Sequence, residues 1–121
     1  MILGLDIGGT KIAVVRGDCS GKVHWRQQFA TAPQRGVQPV FEELFAAIQR
    51  ALVAMPDPVE AISVSIGGPL NILEGIILSP PNLPGWNEVT LKKLLQERFS
   101  LPVYIEHYGN AGALAEYYFG A

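Results

Sequence analysis

A chain of 121 residues is long enough for one domain with its own core and too short for two ordinary ones. Nine basic and eleven acidic residues, interspersed along the chain, focus no positive field, which excludes nucleic acid and anionic membrane as expected partners of this segment. The single cysteine, Cys19, excludes an internal disulfide and cannot by itself anchor a thiolate zinc cluster, so no zinc is expected here.

No run approaches the ~20 apolar residues of a membrane span, and the opening Met-Ile-Leu-Gly-Leu-Asp lacks the regions of a signal peptide. A cytoplasmic location is the resulting expectation. The apolar fraction of 49% is high for a solvated single domain, and part of that surface is expected to meet another domain or subunit.

Residues 2–7 form a short apolar run closed by Gly8 and Gly9, after which Ile12, Val14 and Val15 resume with β-branched character. The pattern predicts two strands joined at a Gly-Gly turn, where glycine tolerates the positive φ of tight hairpins. Gly17, Asp18, Ser20 and Gly21 mark a second turn before a third strand over Val23–Phe29, so three antiparallel strands open the domain. Phe41, Leu44, Phe45, Ile48 and Leu52 then recur at helical spacing. They predict an amphipathic helix with Pro39 in its first turn and Pro56 helping to stop it.

Ala61–Ile66 reads as a compact strand with Gly67, Gly68 and Pro69 just past its carboxyl end, followed by a small excursion of extended chain over 70–78. Ser79–Trp86, SPPNLPGW, is a structured loop, because its prolines remove ladder donors. Thr90 is the expected cap of a helix reaching Phe99, and Pro102 introduces a strand over Val103–Glu106. A last helix begins near Asn110 and carries Ala111, Leu114, Ala115 and Tyr118 on one side. This order predicts one α/β domain over 1–121, a mixed sheet covered by helices with site residues at strand ends.

The sharpest feature is Asp6-Ile-Gly-Gly-Thr-Lys11. An aspartate ending a buried strand is costly to desolvate unless paired or bound to a cation, while Gly8 and Gly9 let backbone amides approach an anion and Thr10 adds a hydroxyl donor. The set suits Mg-nucleotide phosphates, with Asp6 acting on the metal. It has neither the glycine spacing of a dinucleotide fold nor the ending of a P-loop. A plain Gly-Gly hairpin with Asp6 bonded to local amides accounts for the same residues.

Gly67, Gly68 and Pro69 form either a substrate-facing turn or a corner that lets the chain leave the sheet. In the proline loop Asn82 reads as a turn-former and Trp86 as a core cap. Glu106-His107-Tyr108-Gly109-Asn110 ends a strand and opens a helix, a favourable geometry for holding polar groups over a ligand. A Glu106 that fixes local amides, a solvated His107 and a capping Asn110 explain it without one.

Taken together these landmarks resemble the ROK family of bacterial sugar kinases and sugar-responsive repressors over essentially the whole chain. Residues 6–11 look like its first phosphate motif and 66–69 like its substrate loop. SPPNLPGW at 79–86 and IEHYGNAGALAE at 105–116 are similar to two further family stretches. The resemblance implies a ribonuclease-H-like lobe of the actin-like ATPase superfamily, joined in the family to a second lobe with sugar and ATP in the cleft.

It further implies glucokinase-like transfer of the ATP γ-phosphoryl group to glucose or an N-acetylhexosamine. Asp6 would organise Mg²⁺, and Gly8, Gly9, Thr10 and Lys11 would face phosphate. Gly67, Gly68, Asn82, Glu106 and His107 would border the sugar, with Glu106 supporting the pocket rather than reacting.

The chain departs from the family pattern at Tyr108, where active members usually place aspartate as the base for the sugar hydroxyl. A tyrosine of ordinary pKa near 10 stays protonated at neutral pH and brings a bulky ring, so no catalytic residue is assigned. The family's second phosphate loop, adenosine pocket and zinc cluster belong to a carboxyl-terminal half outside these residues. Half a cleft is expected to be inactive by itself, with that second lobe or a second copy in a dimer as its partner. The alternatives are a non-catalytic sugar-sensing or regulatory domain and a truncated gene product. Direct control of DNA is not expected, because the phosphate motif begins almost at the first residue.

Overall fold

Three strands, β1 (Ile2–Ile7), β2 (Lys11–Gly17) and β3 (Val23–Ala30), form the antiparallel meander that the alternation and turn residues predict. A short 3₁₀ turn at Pro33–Arg35 leads into α1 (Val37–Val53), which returns the chain to β4 (Ala61–Ile66). Two short strands, β5 (Leu70–Asn71) and β6 (Ile76–Ile77), pair antiparallel as a separate excursion, and α2 (Leu91–Phe99) leads into β7 (Val103–His107). This computed structural model describes residues 1–18, 20–66, 70–71, 76–77 and 90–107, with the backbone alone described at 70, 71, 76, 77, 106 and 107. The expected proline loop and terminal helix lie outside the described residues.

The main sheet has the order β3-β2-β1-β4-β7, with β1, β4 and β7 parallel. Parallel neighbours need crossover connections, and α1 and α2 lie on those two crossovers. The alternation of β1 aims Leu3, Leu5 and Ile7 at the helices, and Ile12, Val14, Ile62, Val64, Ile66, Val103 and Ile105 join the same buried cluster. From α1, Val40, Phe41, Leu44, Ala47, Ile48 and Ala51 fill it, and α2 adds Leu91 and Leu95. Phe45 joins the two helices, with its ring edge-on to Phe99 at 5.9 Å and the Arg98 guanidinium 5.6 Å above it.

Local details differ from the sequence expectations in three places. Thr90 precedes α2 but makes no side-chain cap hydrogen bond; its backbone carbonyl instead accepts from the Leu94 amide at 3.0 Å. Glycines at positive φ are found, among the described residues, at Gly21 and Gly36 rather than at the Gly8–Gly9 turn. β7 runs one residue further, to His107, because its pairing with β4 continues as far as Ile66.

Among the described residues one charged side chain lies inside the core. Arg16, on the helix-facing side of β2, is fully buried, and its Nη1 donates to the carbonyls of Ala51, Leu52 and Met55 at 2.9, 3.3 and 3.4 Å. Its Nη2 donates to the Asp57 carbonyl. A helix leaves its last carbonyls unpaired and partly negative, so a cation below the end of α1 satisfies both the geometry and the dipole. Among the described residues its Nε has no hydrogen-bond partner.

At the same end of the sheet Met1 is tied down, its α-ammonium donating to the Pro58 carbonyl at 3.2 Å and its own carbonyl accepting from Glu60 at 2.9 Å. Replacing Arg16 with methionine keeps the apolar stem and strands these carbonyls. Arg16→Met is expected to cost about 2 to 3 kcal/mol, read as a lowered urea midpoint at unchanged slope.

The β2–β3 turn is organised by Asp18. Its carboxylate accepts from the Ser20 and Lys22 amides at 2.9 and 3.2 Å and meets the His24 Nε2 at 2.7 Å. The His24 contact first, and the Ser20 hydroxyl second, hold the Asp18 carboxyl well below the usual carboxylate range. A depressed folded-state value means that these contacts stabilise fully above the ordinary carboxylate pKa of about 3.9 and fade as pH falls through the lower, folded value. The melting-temperature gap between wild type and Asp18→Asn should therefore narrow progressively as the pH falls from about 5 to about 2.

Candidate functional site at the carboxyl ends of the parallel strands

The register of the sheet brings most of the predicted site residues to one edge. Ile7, at the end of β1, pairs with Ile66 at the end of β4, which pairs with His107 at the end of β7. The chain beyond each of these residues therefore leaves from the same end of the sheet, which is where open α/β sheets hold their ligands. Of the segments that follow, 8–10 lies among the described residues, and 67–69 and 108–110 do not. Gly67, Gly68, Asn82 and Tyr108 themselves lie outside the described residues.

One row back, Asp6 pairs with Ser65, and Ser65 with Glu106. Strands spaced ~4.8 Å apart put the Asp6 and Glu106 Cα atoms about 10 Å from each other.

Asp6 faces away from the helices and is exposed, which corrects the expectation of a desolvated carboxylate at the end of a buried strand. The reason is the pleat: Leu5 and Ile7 take the core side, so Asp6 takes the other. Among the described residues its carboxylate has no hydrogen-bond or ion-pair partner, so it does not serve as the local amide acceptor of a plain hairpin.

Around it, Gly4, Ala13, Ser63 and Ser65 are small, and with Val15 and Arg26 they leave a hollow of about 280 Å³ on this face. A larger hollow of about 410 Å³, between α1 and Arg98, contains none of the predicted residues.

The loop after β1 is held from behind. The Gly8 amide donates to the Lys11 carbonyl at 3.0 Å, closing the turn, and the side chains of Thr10 and Lys11 are exposed. Thr31, just past β3, is fully buried. Its hydroxyl donates to the Gly8 carbonyl at 2.7 Å and its amide to the Thr10 carbonyl at 2.9 Å. Sequence reasoning missed Thr31, because a threonine in a polar connection carries no local sign of a partner 23 positions away.

With the Gly8 and Thr10 carbonyls occupied from behind, the loop is braced on one side. An outward carboxylate beside such a turn fits a magnesium ion held mainly by water and phosphate oxygens. Among the described residues no group of three or more His, Cys, Asp or Glu side chains lies close enough to hold a metal unaided. Likewise, among those residues no helix is long and apolar enough to cross a membrane.

Comparison with known proteins decides the family. The model of the ROK family matches residues 2–121. The chain belongs to the ROK family. It is 36% identical to a putative xylose repressor from Caldicellulosiruptor sp. over 99% of this chain and 31% of that protein. It is 32% identical to a glucokinase from Thermotoga maritima, over 99% and 37%.

Among solved structures it resembles a ROK family glucokinase from Streptomyces griseus in complex with glucose and AMPPNP. That match has a TM-score of 0.85 and 33% identity over 99% of this chain and 37% of the other. The ROK chain thus spans about a third of the length of the curated relatives it matches, and its mixed five-stranded sheet is that of the actin-like ATPase fold.

Gly4 shapes the hollow beside Asp6. A Cβ built there would lie 2.9 Å from a Val15 methyl, and a β-branched neighbour has little rotamer freedom to yield. Gly4→Ala should lower stability by about 1 kcal/mol, and the Gly4→Ala/Val15→Ala double variant should recover the packing conflict. A double-mutant cycle in urea checks this; additive losses would show that the two side chains do not compete.

Proposed function

We propose that these residues form the amino-terminal lobe of a two-lobe ROK sugar kinase and supply the magnesium and phosphate side of its cleft. The common edge of β1, β4 and β7 is the observation that carries the reading, since it gathers Asp6, Gly8, Gly9, Thr10 and Lys11 beside the departures toward Gly67, Gly68 and Tyr108. The Streptomyces griseus relative, seen with glucose and AMPPNP, supports both a sugar and an adenine nucleotide as ligands.

In this proposal Asp6 orients magnesium-bound water toward the nucleotide, while the Gly9 and Thr10 amides, the Thr10 hydroxyl and the Lys11 ammonium take up phosphate charge. Gly67, Gly68, Asn82, Glu106 and His107 border a hexose or N-acetylhexosamine. When bound, Mg-ATP supplies the phosphoryl group and the charge-neutralising cation.

The chain by itself does not turn sugar over. Tyr108 provides no base at neutral pH, and transfer needs charge stabilisation from both sides of a closed cleft. The partner is a second lobe, or a second copy in a dimer. Ile2, Val23 and Tyr104, all exposed and large, support a further surface on this side of the molecule. A cytoplasmic setting belongs to the same proposal.

A non-catalytic, sugar-responsive role is favoured by Tyr108 together with the likeness to a putative xylose repressor. Calorimetry with glucose, N-acetylglucosamine and N-acetylmannosamine, each with and without Mg-AMPPNP, separates the two when run beside a coupled assay for ADP. The expected result is magnesium-dependent AMPPNP binding, weakened about tenfold in Asp6→Asn, with no sugar-dependent ADP release. Sugar-dependent ADP release would overturn the non-catalytic assignment of this chain. Saturable sugar binding with no nucleotide binding would replace the kinase-lobe reading with the sensor.

A further inference from the structure

We infer that Thr31 is the positioning residue of the Gly8–Thr10 loop, and that Arg35 and Glu43 extend this brace to α1. The inference rests on the reading of that loop as the phosphate side of the site and adds a residue that touches no ligand. Thr31 is one of two fully buried polar residues among those described, and both of its donors are used on loop carbonyls, the hydroxyl on Gly8 and the amide on Thr10. A buried hydroxyl without a partner is costly, so the side chain and the loop fix each other.

The carbonyl of Thr31 is held in turn. Arg35 donates to it from Nε at 3.2 Å and from Nη2 at 3.1 Å, and the same Nη2 reaches the Glu43 carboxylate on α1 at 2.6 Å. Directly after Thr31 the chain turns through Ala32 at φ 43°, a left-handed conformation unfavourable for a residue with a Cβ. An unfavourable backbone conformation thus directly follows the residue that bonds the loop. Such positions persist where the surroundings over-determine them, and here the surroundings are the loop and Arg35.

The consequence is mechanical. Occupying the Gly8 and Thr10 carbonyls from behind orients the intervening peptide units and leaves their amides for the open side, where an anion would bind. Thr31→Val removes the hydroxyl bond while keeping the shape and the amide bond; Thr31→Ser keeps the hydroxyl.

The test compares wild type, Thr31→Val and Thr31→Ser by two readouts well below their melting temperatures. These are amide hydrogen exchange at Gly8, whose N–H closes the turn, and the affinity for Mg-AMPPNP. The expected result is about fivefold faster Gly8 exchange and about fivefold weaker Mg-AMPPNP binding in Thr31→Val, with both restored in Thr31→Ser. Unchanged exchange and affinity in Thr31→Val, or no recovery in Thr31→Ser, would overturn the role of Thr31 while leaving the loop as a nucleotide site. A wild type that binds no Mg-AMPPNP would overturn the nucleotide reading, and with it the part assigned to Thr31 in ligand binding.

Discussion

The parallel pairing of β1 with β4, and of β4 with β7, is the constraint from which the rest of this domain follows. An antiparallel meander can be closed by short turns, but a parallel neighbour requires the chain to be carried back along the sheet. That return sets the need for α1 and α2, and the alternation of the strands puts both on one face. It also forces three consecutive departures from a single edge. The clustering of polar and glycine-rich sequence at that edge is thus a product of topology as much as of local chemistry.

Arg16 and Thr31, the two buried polar residues among those described, sit at opposite ends of the sheet and solve the same problem. Arg16 lies beside Leu3 at the far end and donates to carbonyls at and just past the carboxyl end of α1, while Thr31 lies at the near end and donates to carbonyls of the loop after β1. In each case a side chain replaces water where backbone departs from regular structure inside the fold. Among the described residues the core cluster between them is apolar. These two sites depend on donor geometry and tolerate little.

Much of the fold was legible in the residues. The β-branched alternation of Ile12, Val14 and Val15 and the helical spacing of Phe41, Leu44, Phe45 and Ile48 place their elements within a residue or two of where they lie, and Ala61–Ile66 coincides with β4. The site was legible as a set of motifs but not as an arrangement. Local pattern places Asp6 in a strand that reads as buried, whereas the pleat turns it outward. Arg16 reads as an ordinary charge in a strand because its partners follow 35 and more positions later. Thr31 is silent for the same reason: periodicity reports which side of an element is apolar, and it carries no information about which backbone a hydroxyl will meet.

The anchoring of Met1 against the Pro58–Glu60 segment has a practical bearing on fusion. Residues joined ahead of Met1 would replace its ammonium donor by an amide and emerge at the amino-terminal end of β1, about 20 Å, the length of that strand, from the loop that carries Gly8 and Gly9. A tag, a label or a whole domain attached there would tug on the connection into β4 before it disturbed the loop after β1, so the two ends of the sheet can be loaded separately.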